Sequence, residues 1–380
     1  MGALTQLYVD PSIAGDSGTG TIGDPYGDLE YCLAQATVDS TNGSQINIKA
    51  GTPEVLSAPL NLAAHFGAGA ESAPIVLRGY TATANDGGMG EIDCGGYTMF
   101  AANSYSFLKL IELEIHTFGN NQGVDLGGAS QGVGLLYCNI HKGASSPSSR
   151  RLISTGYNGA NRVIGCYIHD AGTGGTGLYV QGNGSFVAYN HIAACPTGIN
   201  HPPIVLIGNI IRMTENGTGT TCVQDGPNVC GNIVYSTVAN TGVGINISST
   251  TAGDRSAAFN NIVAGFSGAG GVGISASGDT EMIGHNAFYN NTANMALADV
   301  YVDLTANDVA LAADPFTDAA NGDFSLTAAA KTALAAKGFP LAYLGAHANT
   351  VPNLNIGPIQ MAAGGGGASI YRRVARLLGG

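Results

Sequence analysis

Apolar positions in this chain come in runs of three to five residues, rich in Val, Ile, Phe and Tyr and separated by Gly, Asn, Ser and Thr. Such short runs suit strands, because a helix needs about ten residues or more to present a continuous apolar stripe. From 106 to 291 they recur in one pattern: an apolar run, a small or polar residue, any residue, then a β-branched or aromatic residue. The copies read LKLIELEIH (108–116), VGLLYCNIH (133–141), RVIGCYIH (162–169), SFVAYNHIA (185–193), PIVLIGNII (203–211), PNVCGNIVY (227–235), SAAFNNIVA (256–264) and EMIGHNAFY (281–289). Their anchors are Leu113, Cys138, Cys166, Asn190, Asn209, Asn232, Asn261 and Asn286, spaced 25, 28, 24, 19, 23, 29 and 25 residues apart. A repeat of that length cannot bury its apolar face alone and must stack on its neighbours. It holds about three short strands and their bends. Stacking sets equivalent strands about 4.8 Å apart, so equal positions form files.

The anchor file predicts a structural ladder. Asn190, Asn209, Asn232, Asn261 and Asn286 are positioned to hydrogen-bond from coil to coil, and Asn also tolerates the left-handed backbone of a sharp bend. Cys138 and Cys166 take the same place in earlier copies, consistent with an inward file of small, buried residues. The 58 glycines fit a chain that bends several times per coil.

These repeats resemble the right-handed parallel β-helix superfamily of pectate lyases, polysaccharide-processing enzymes and viral spike proteins. The opening LYVDPSIAGDSGTGTIGDPYGDLEYCLAQA with INIKAGT (46–52), and the closing DPFTDAANGDFSL (314–326) with NIGPIQ (355–360), resemble the usual ends of such chains. The resemblance implies an all-β fold: a single-stranded right-handed parallel β-helix solenoid with an N-terminal capping helix, a C-terminal linker and a short amphipathic helix. The expected segments are 1–45 (strand, loop and capping helix), 46–291 (β-helix), 292–360 (last coils and cap), 361–368 (Gly-rich linker) and 369–380 (basic anchoring helix). Within them, 27–38 and 328–338 read as short helices. Residues 53–72 and 81–90 read as surface loops, and longer loops are expected near 142–160, 213–226 and 248–256.

The tail is distinctive. Ile370, Val374, Leu377 and Leu378 make one apolar stripe at helical spacing, with Tyr371 beside it and Arg372, Arg373 and Arg376 off it. About ten residues of helix are marginal alone in water, so this segment is expected to order against a protein partner, helix-in-groove fashion. No Asp or Glu follows Asp323, while Lys331, Lys337 and the three arginines do. Of the net charge of −12, the end of the chain therefore carries +5 and the rest −17. This balance speaks against nucleic acid as a partner. The start lacks a basic and then apolar leader pattern, and no run of 18 apolar residues occurs, so neither a signal peptide nor a membrane span is expected. Gln6 breaks a myristoylation motif. Seven cysteines, an odd number lying mostly in strand patterns, point to buried thiols and not to a disulfide framework.

Candidate chemistry centres on a histidine file. His116, His141 and His169 each follow the β-branched residue of their copy, with Asp170 next to the last and Arg150, Arg151 and Arg162 near in sequence. His141, His169, Asp170 and Arg162 are the residues a proton-abstracting or acid-sugar-binding site would use. Lys142 beside the file argues against a metal there, and no cofactor is expected. The alternative is a solvent-tolerant polar ladder. Glu112 and Glu114, read as sharing one strand face, are a candidate carboxylate pair. Tyr157, Tyr179, Tyr235 and Tyr301 are candidate sugar platforms. The clustered Asp and basic pair of the pectate-lyase site is not found residue by residue.

Two functions follow. One is a structural or adhesive β-helix protein, a phage-like spike, fibre or decoration subunit located in the virion, docked on a capsid or tail protein through residues 369–380 and facing glycan. For this class the resemblance implies homotrimers. The other is an extracellular polysaccharide lyase or glycoside hydrolase acting on acidic polysaccharide.

Overall fold

In the computed structural model, a residue with left-handed backbone stands immediately before every anchor. These are Glu112, Tyr137, Gly165, Tyr189, Gly208, Gly231, Asn260 and His285, with φ between 55° and 66°. The bend at that residue ends one strand and starts the next on a second sheet. The anchors themselves are not left-handed, which corrects the bend role expected for Asn. The structure describes residues 3–338 except 16, 36–40, 63–69, 101–104, 120–121, 127–129, 144–150, 157–159, 181–184, 201–204, 215–220, 225–227, 249–255, 278–279, 299 and 336. The cap expected within 341–360, the linker at 361–368 and the helix expected at 369–380, including Ile370, Tyr371, Arg372, Arg373, Val374, Arg376, Leu377 and Leu378, lie outside the described residues. The chain divides into two compact units, 1–186 and 187–380.

In the first unit, sheet one runs through Thr5–Val9, Ser44–Lys49, Ile75–Tyr80, Leu108–Ile111, Gly134–Leu136 and Arg162–Ile164. Sheet two runs through Glu54–Val55, Gly90–Asp93, Leu113–His116, Asn139–His141 and Tyr167–His169, and sheet three through Gln122–Asp125, Arg151–Ser154 and Thr176–Tyr179. Neighbours pair in parallel, and equal positions stack: Leu77, Leu110 and Leu135 on sheet one, Ile92, Ile115, Ile140 and Ile168 on sheet two, Val124, Ile153 and Leu178 on sheet three. All of these are fully buried, and each stabilises the coil by roughly 1.5–3 kcal/mol. A helix, Leu29–Gln35, precedes the coils and buries Leu29, Cys32 and Leu33. The Asp28 carboxylate accepts from the Tyr31 amide at its start, and buried Glu54 accepts from the Leu29 amide.

In the second unit the same three-sided arrangement holds. Sheet one comprises Val205–Ile207, Asn228–Cys230, Ser256–Phe259, Thr280–Gly284 and Val300–Leu304. Sheet two comprises His191–Ala193, Ile210–Met213, Ile233–Ser236, Ile262–Ala264, Ala287–Tyr289 and Val309–Ala310. Sheet three comprises Thr197–Asn200, Thr221–Gln224, Val243–Ser248, Val272–Ser277 and Ala293–Leu297. An antiparallel hairpin, Phe316–Asp318 with Asp323–Leu326, and a helix, Ala328–Leu334, pack over sheet two. Their Phe316, Phe324, Leu326, Ala330 and Leu334 bury the outward residues Ile233, Ile262 and Ala287.

Other expectations are corrected. The segments read as loops at 142–160 and 213–226 contain sheet-three strands, Arg151–Ser154 and Thr221–Gln224. The stretch 53–72 contributes the strand Glu54–Val55 and the buried Leu56, Leu60 and Leu62. The helix expected over 328–338 ends at Leu334, after which Ala335 is extended. Glu112 and Glu114 do not share a strand face. Glu112 sits in a left-handed bend and binds Arg78 at 2.8 Å, whereas Glu114 points outward from sheet two and faces His141.

Candidate functional site

On sheet two of the first unit, alternation sends the isoleucine file inward and the residues on either side of it outward. The outward files are Glu91, Glu114, Asn139 and Tyr167 on one side and Asp93, His116, His141 and His169 on the other. The histidine rings stack with centroids 5.3 Å apart between His116 and His141 and 4.7 Å apart between His141 and His169, both tilted by only 16°. Tyr167 lies against His169 at 4.1 Å. Each histidine also reaches back one coil: His116 Nε2 to Glu91 at 2.9 Å, His141 Nε2 to Glu114 at 3.0 Å, His169 Nε2 to Asn139 at 3.1 Å. The other ring nitrogens meet Thr117 Oγ1, the Lys142 carbonyl and Asp170 Oδ2.

All six ring nitrogens of the file are thus engaged within the protein, and the histidine side chains are only 15–20% exposed. Both nitrogens of His141 face oxygen acceptors, an environment that suits the imidazolium. Burial alone would pull its pKa down, but the Glu114 carboxylate and the Lys142 carbonyl raise it above the ordinary value. The hydrogen bond from His141 in turn holds Glu114 below the usual carboxylate range.

Of the four candidates, His141, His169 and Asp170 come together here, Asp170 occupying a left-handed bend. Arg162 does not join them: it is exposed on sheet one, across the bend at Gly165 and Cys166. Sequence reasoning missed Glu91, Asn139 and Tyr167, whose signal is their place two residues before each position of the histidine file. Tyr235 donates to Asp314 and packs against Phe316 and Phe324 beneath the hairpin, so it is no sugar platform. Tyr157 lies outside the described residues, as does the side chain of Tyr301. Among the described residues no group of three or more His, Cys, Asp or Glu is placed to hold a metal.

The second unit holds the amide ladder. Asn190 Nδ2 donates to Asn209 Oδ1 (2.9 Å), Asn209 to Asn232 (2.9 Å), Asn232 to Asn261 (3.1 Å) and Asn261 to Asn286 (3.0 Å). The same oxygens accept the backbone N–H of the preceding rung. Asp308, 22 residues after Asn286, takes the next place: its Oδ1 accepts the Asn286 N–H at 2.7 Å. This rung also escaped the sequence reading, because a carboxylate stands where the pattern leads one to look for Asn. In the first unit the anchors Cys138 and Cys166 are buried thiols donating to Leu110 and Leu135 carbonyls, and burial raises Cys166 strongly.

No protein-family model and no curated protein matches this sequence. Among solved structures, it is similar to the pectate lyase Pel9A, at 13% identity and a TM-score of 0.59, over 94% of this chain and 98% of that one. Two more distant likenesses are an alginate lyase from Paenibacillus sp., at 15% identity and a TM-score of 0.41 over 72% of this chain and 95% of that one, and a double mutant of the tailspike protein of E. coli bacteriophage HK620. The latter shows 15% identity and a TM-score of 0.45 over 74% of this chain and 60% of that one. The chain has a right-handed parallel β-helix fold of the pectate-lyase-like class. A likeness at this identity shows the fold alone, so function rests on the site.

Proposed function

We propose that this protein is a structural, glycan-facing β-helix subunit of a phage-like virion, a spike, fibre or decoration, docked on a capsid or tail protein through residues 369–380 and assembled as a homotrimer. One observation carries the non-enzymatic reading. A histidine acting as general base must offer a ring nitrogen to the substrate proton, and all six ring nitrogens of the histidine file are taken up by Glu91, Glu114, Asn139, Thr117, Lys142 and Asp170. A file satisfied in this way stiffens the outer face of sheet two. The Gly-linked, basic, amphipathic end of the sequence supports docking.

The test compares the full chain with a variant lacking residues 361–380 and with His169→Ala. The truncated chain is expected to keep the β-sheet circular dichroism of the full protein and to disappear from purified particles. Neither the full chain nor His169→Ala should release unsaturated or reducing ends from alginate or polygalacturonate. Glycan cleavage by the full chain, lost in His169→Ala and kept on truncation, would instead establish the polysaccharide lyase or hydrolase alternative.

A further inference from the structure

Arg151 and Tyr179 lie on adjacent strands of sheet three in the first unit, three residues apart in register: Arg151 pairs with Gln122 and Thr176, and Ser154 with Asp125 and Tyr179. The guanidinium carbon of Arg151 sits 3.4 Å from the centroid of the Tyr179 ring. Stacking on the ring covers one face of the guanidinium and fixes its plane, while the N–H donors remain in that plane, directed away from the ring. Arg78 shows how this chain uses a structural arginine: it forms a two-pronged ion pair with Glu112, through Nε at 3.0 Å and Nη2 at 2.8 Å. Among the described residues, the ion pairs do not include Arg151. The nearby carboxylate of Asp125 is two strands from Tyr179 on the same face. It lies 2.9 Å from the side-chain amide of Gln122. Among the described residues, Gln122 and Thr176 pair with Arg151 on either side.

A planar cation stacked on a ring and, among the described residues, outside any ion pair matches a carboxylate, which accepts two parallel N–H bonds. The flanking hydroxyl and amide groups match sugar hydroxyls. We propose that Arg151, held by Tyr179, is the carboxylate-recognition subsite for an acidic glycan, a uronate or sialate chain. This assignment rests on the glycan-facing reading above and adds the chemical class of the glycan.

Isothermal titration calorimetry on the full chain tests it with four probes: tetragalacturonate, tetramannuronate, sialyllactose and the neutral cellotetraose. At least one acidic probe should bind, and cellotetraose should not. Arg151→Gln should weaken that binding about tenfold or more. Arg151→Lys should lose most of it too, since a point charge does not reproduce the fork. Tyr179→Leu should weaken it less, by releasing the guanidinium. Circular dichroism of each variant checks that the coil is intact. An acidic probe bound equally well by Arg151→Gln overturns the subsite while leaving glycan binding in place. Binding of cellotetraose with equal strength, or of no probe, overturns the acidic class itself. None of these outcomes bears on particle docking, which the truncation of residues 361–380 reads separately.

Discussion

Asn232 shows what one anchor does. Its Oδ1 accepts from both the backbone and the side chain of Asn209, and its Nδ2 donates to the Leu206 carbonyl and to Asn261. The residue is essentially inaccessible to water. Asn232→Leu keeps the volume and strands several buried polar groups at once, each costing about 1–3 kcal/mol. We expect a loss of roughly 3–5 kcal/mol, read as a lower urea midpoint, whereas removing an exposed amide costs little. The His141–Glu114 pair makes a pH prediction at the same scale. His141 has its folded pKa raised above 6.5, so its contribution is complete below the unfolded value and fades as pH climbs through the folded one. Glu114 is lowered from 4.5, so its contribution is complete above that value and fades as pH falls through the folded one. The pair therefore stabilises the coil most in the window between. Glu114→Gln should lower the His141 titration midpoint in an NMR pH series and flatten the dependence of stability on pH across the window. An unchanged midpoint would refute the coupling.

At the scale of the element, the last coil is marked by Asp308. Its side chain closes the amide ladder, and burial raises its pKa to about 7. A raised carboxylate is a load on the folded state that appears as pH rises from about 4 towards 7 and is complete above it. Asp308→Asn removes that load and supplies a donor where Oδ2 has no partner. The variant should be more stable than the parent at pH 8 by roughly 1–3 kcal/mol in urea unfolding and little different at pH 4. Elements also show what could be read beforehand. Sheets one and two were visible because their inward residues are Val, Ile and Leu at fixed distance from an anchor. The two sheet-three strands expected as loops, Arg151–Ser154 and Thr221–Gln224, are only four residues long and follow sequence rich in small and polar residues, ASSPSSR and ENGTGT. Gly123, Gly198, Gly244 and Gly273 each precede an inward apolar residue, and a Cβ on any of them would fall within 2.8 Å of neighbouring atoms. Glycine inside a sheet-three strand thus marks close packing of one coil on the next and not a break.

For the whole molecule, the same strand position is used in two ways. In the second unit the residue before the inward file of sheet two is apolar at Ile210, Ile233, Ile262, Ala287 and Val309, and the C-terminal hairpin and helix cover it. In the first unit it is Glu91, Glu114, Asn139 and Tyr167, polar or amphipathic and half-exposed. The histidine file was legible from spacing alone, since it needs only the repeat. Its partners Glu91 and Glu114 were not, because they belong to the preceding coil and become neighbours only after the chain has gone once around. Arg162 was grouped with the file for the opposite reason: it is close in sequence, and the bend at Gly165 carries it to another side. The particle-docking reading belongs to this scale too, where truncation of residues 361–380 is expected to remove the subunit from the particle and leave its coils folded.

Every amide in the ladder points its oxygen toward the rung before it, so the file has a direction and each rung is completed only by the next. Segments of the second unit can therefore be gained or excised only as whole turns. A fractional one would leave an asparagine opposite a strand that has nothing to offer it. The length of this part of the molecule is quantised, and evolution or design can change its reach in single-turn steps without redrawing the interior.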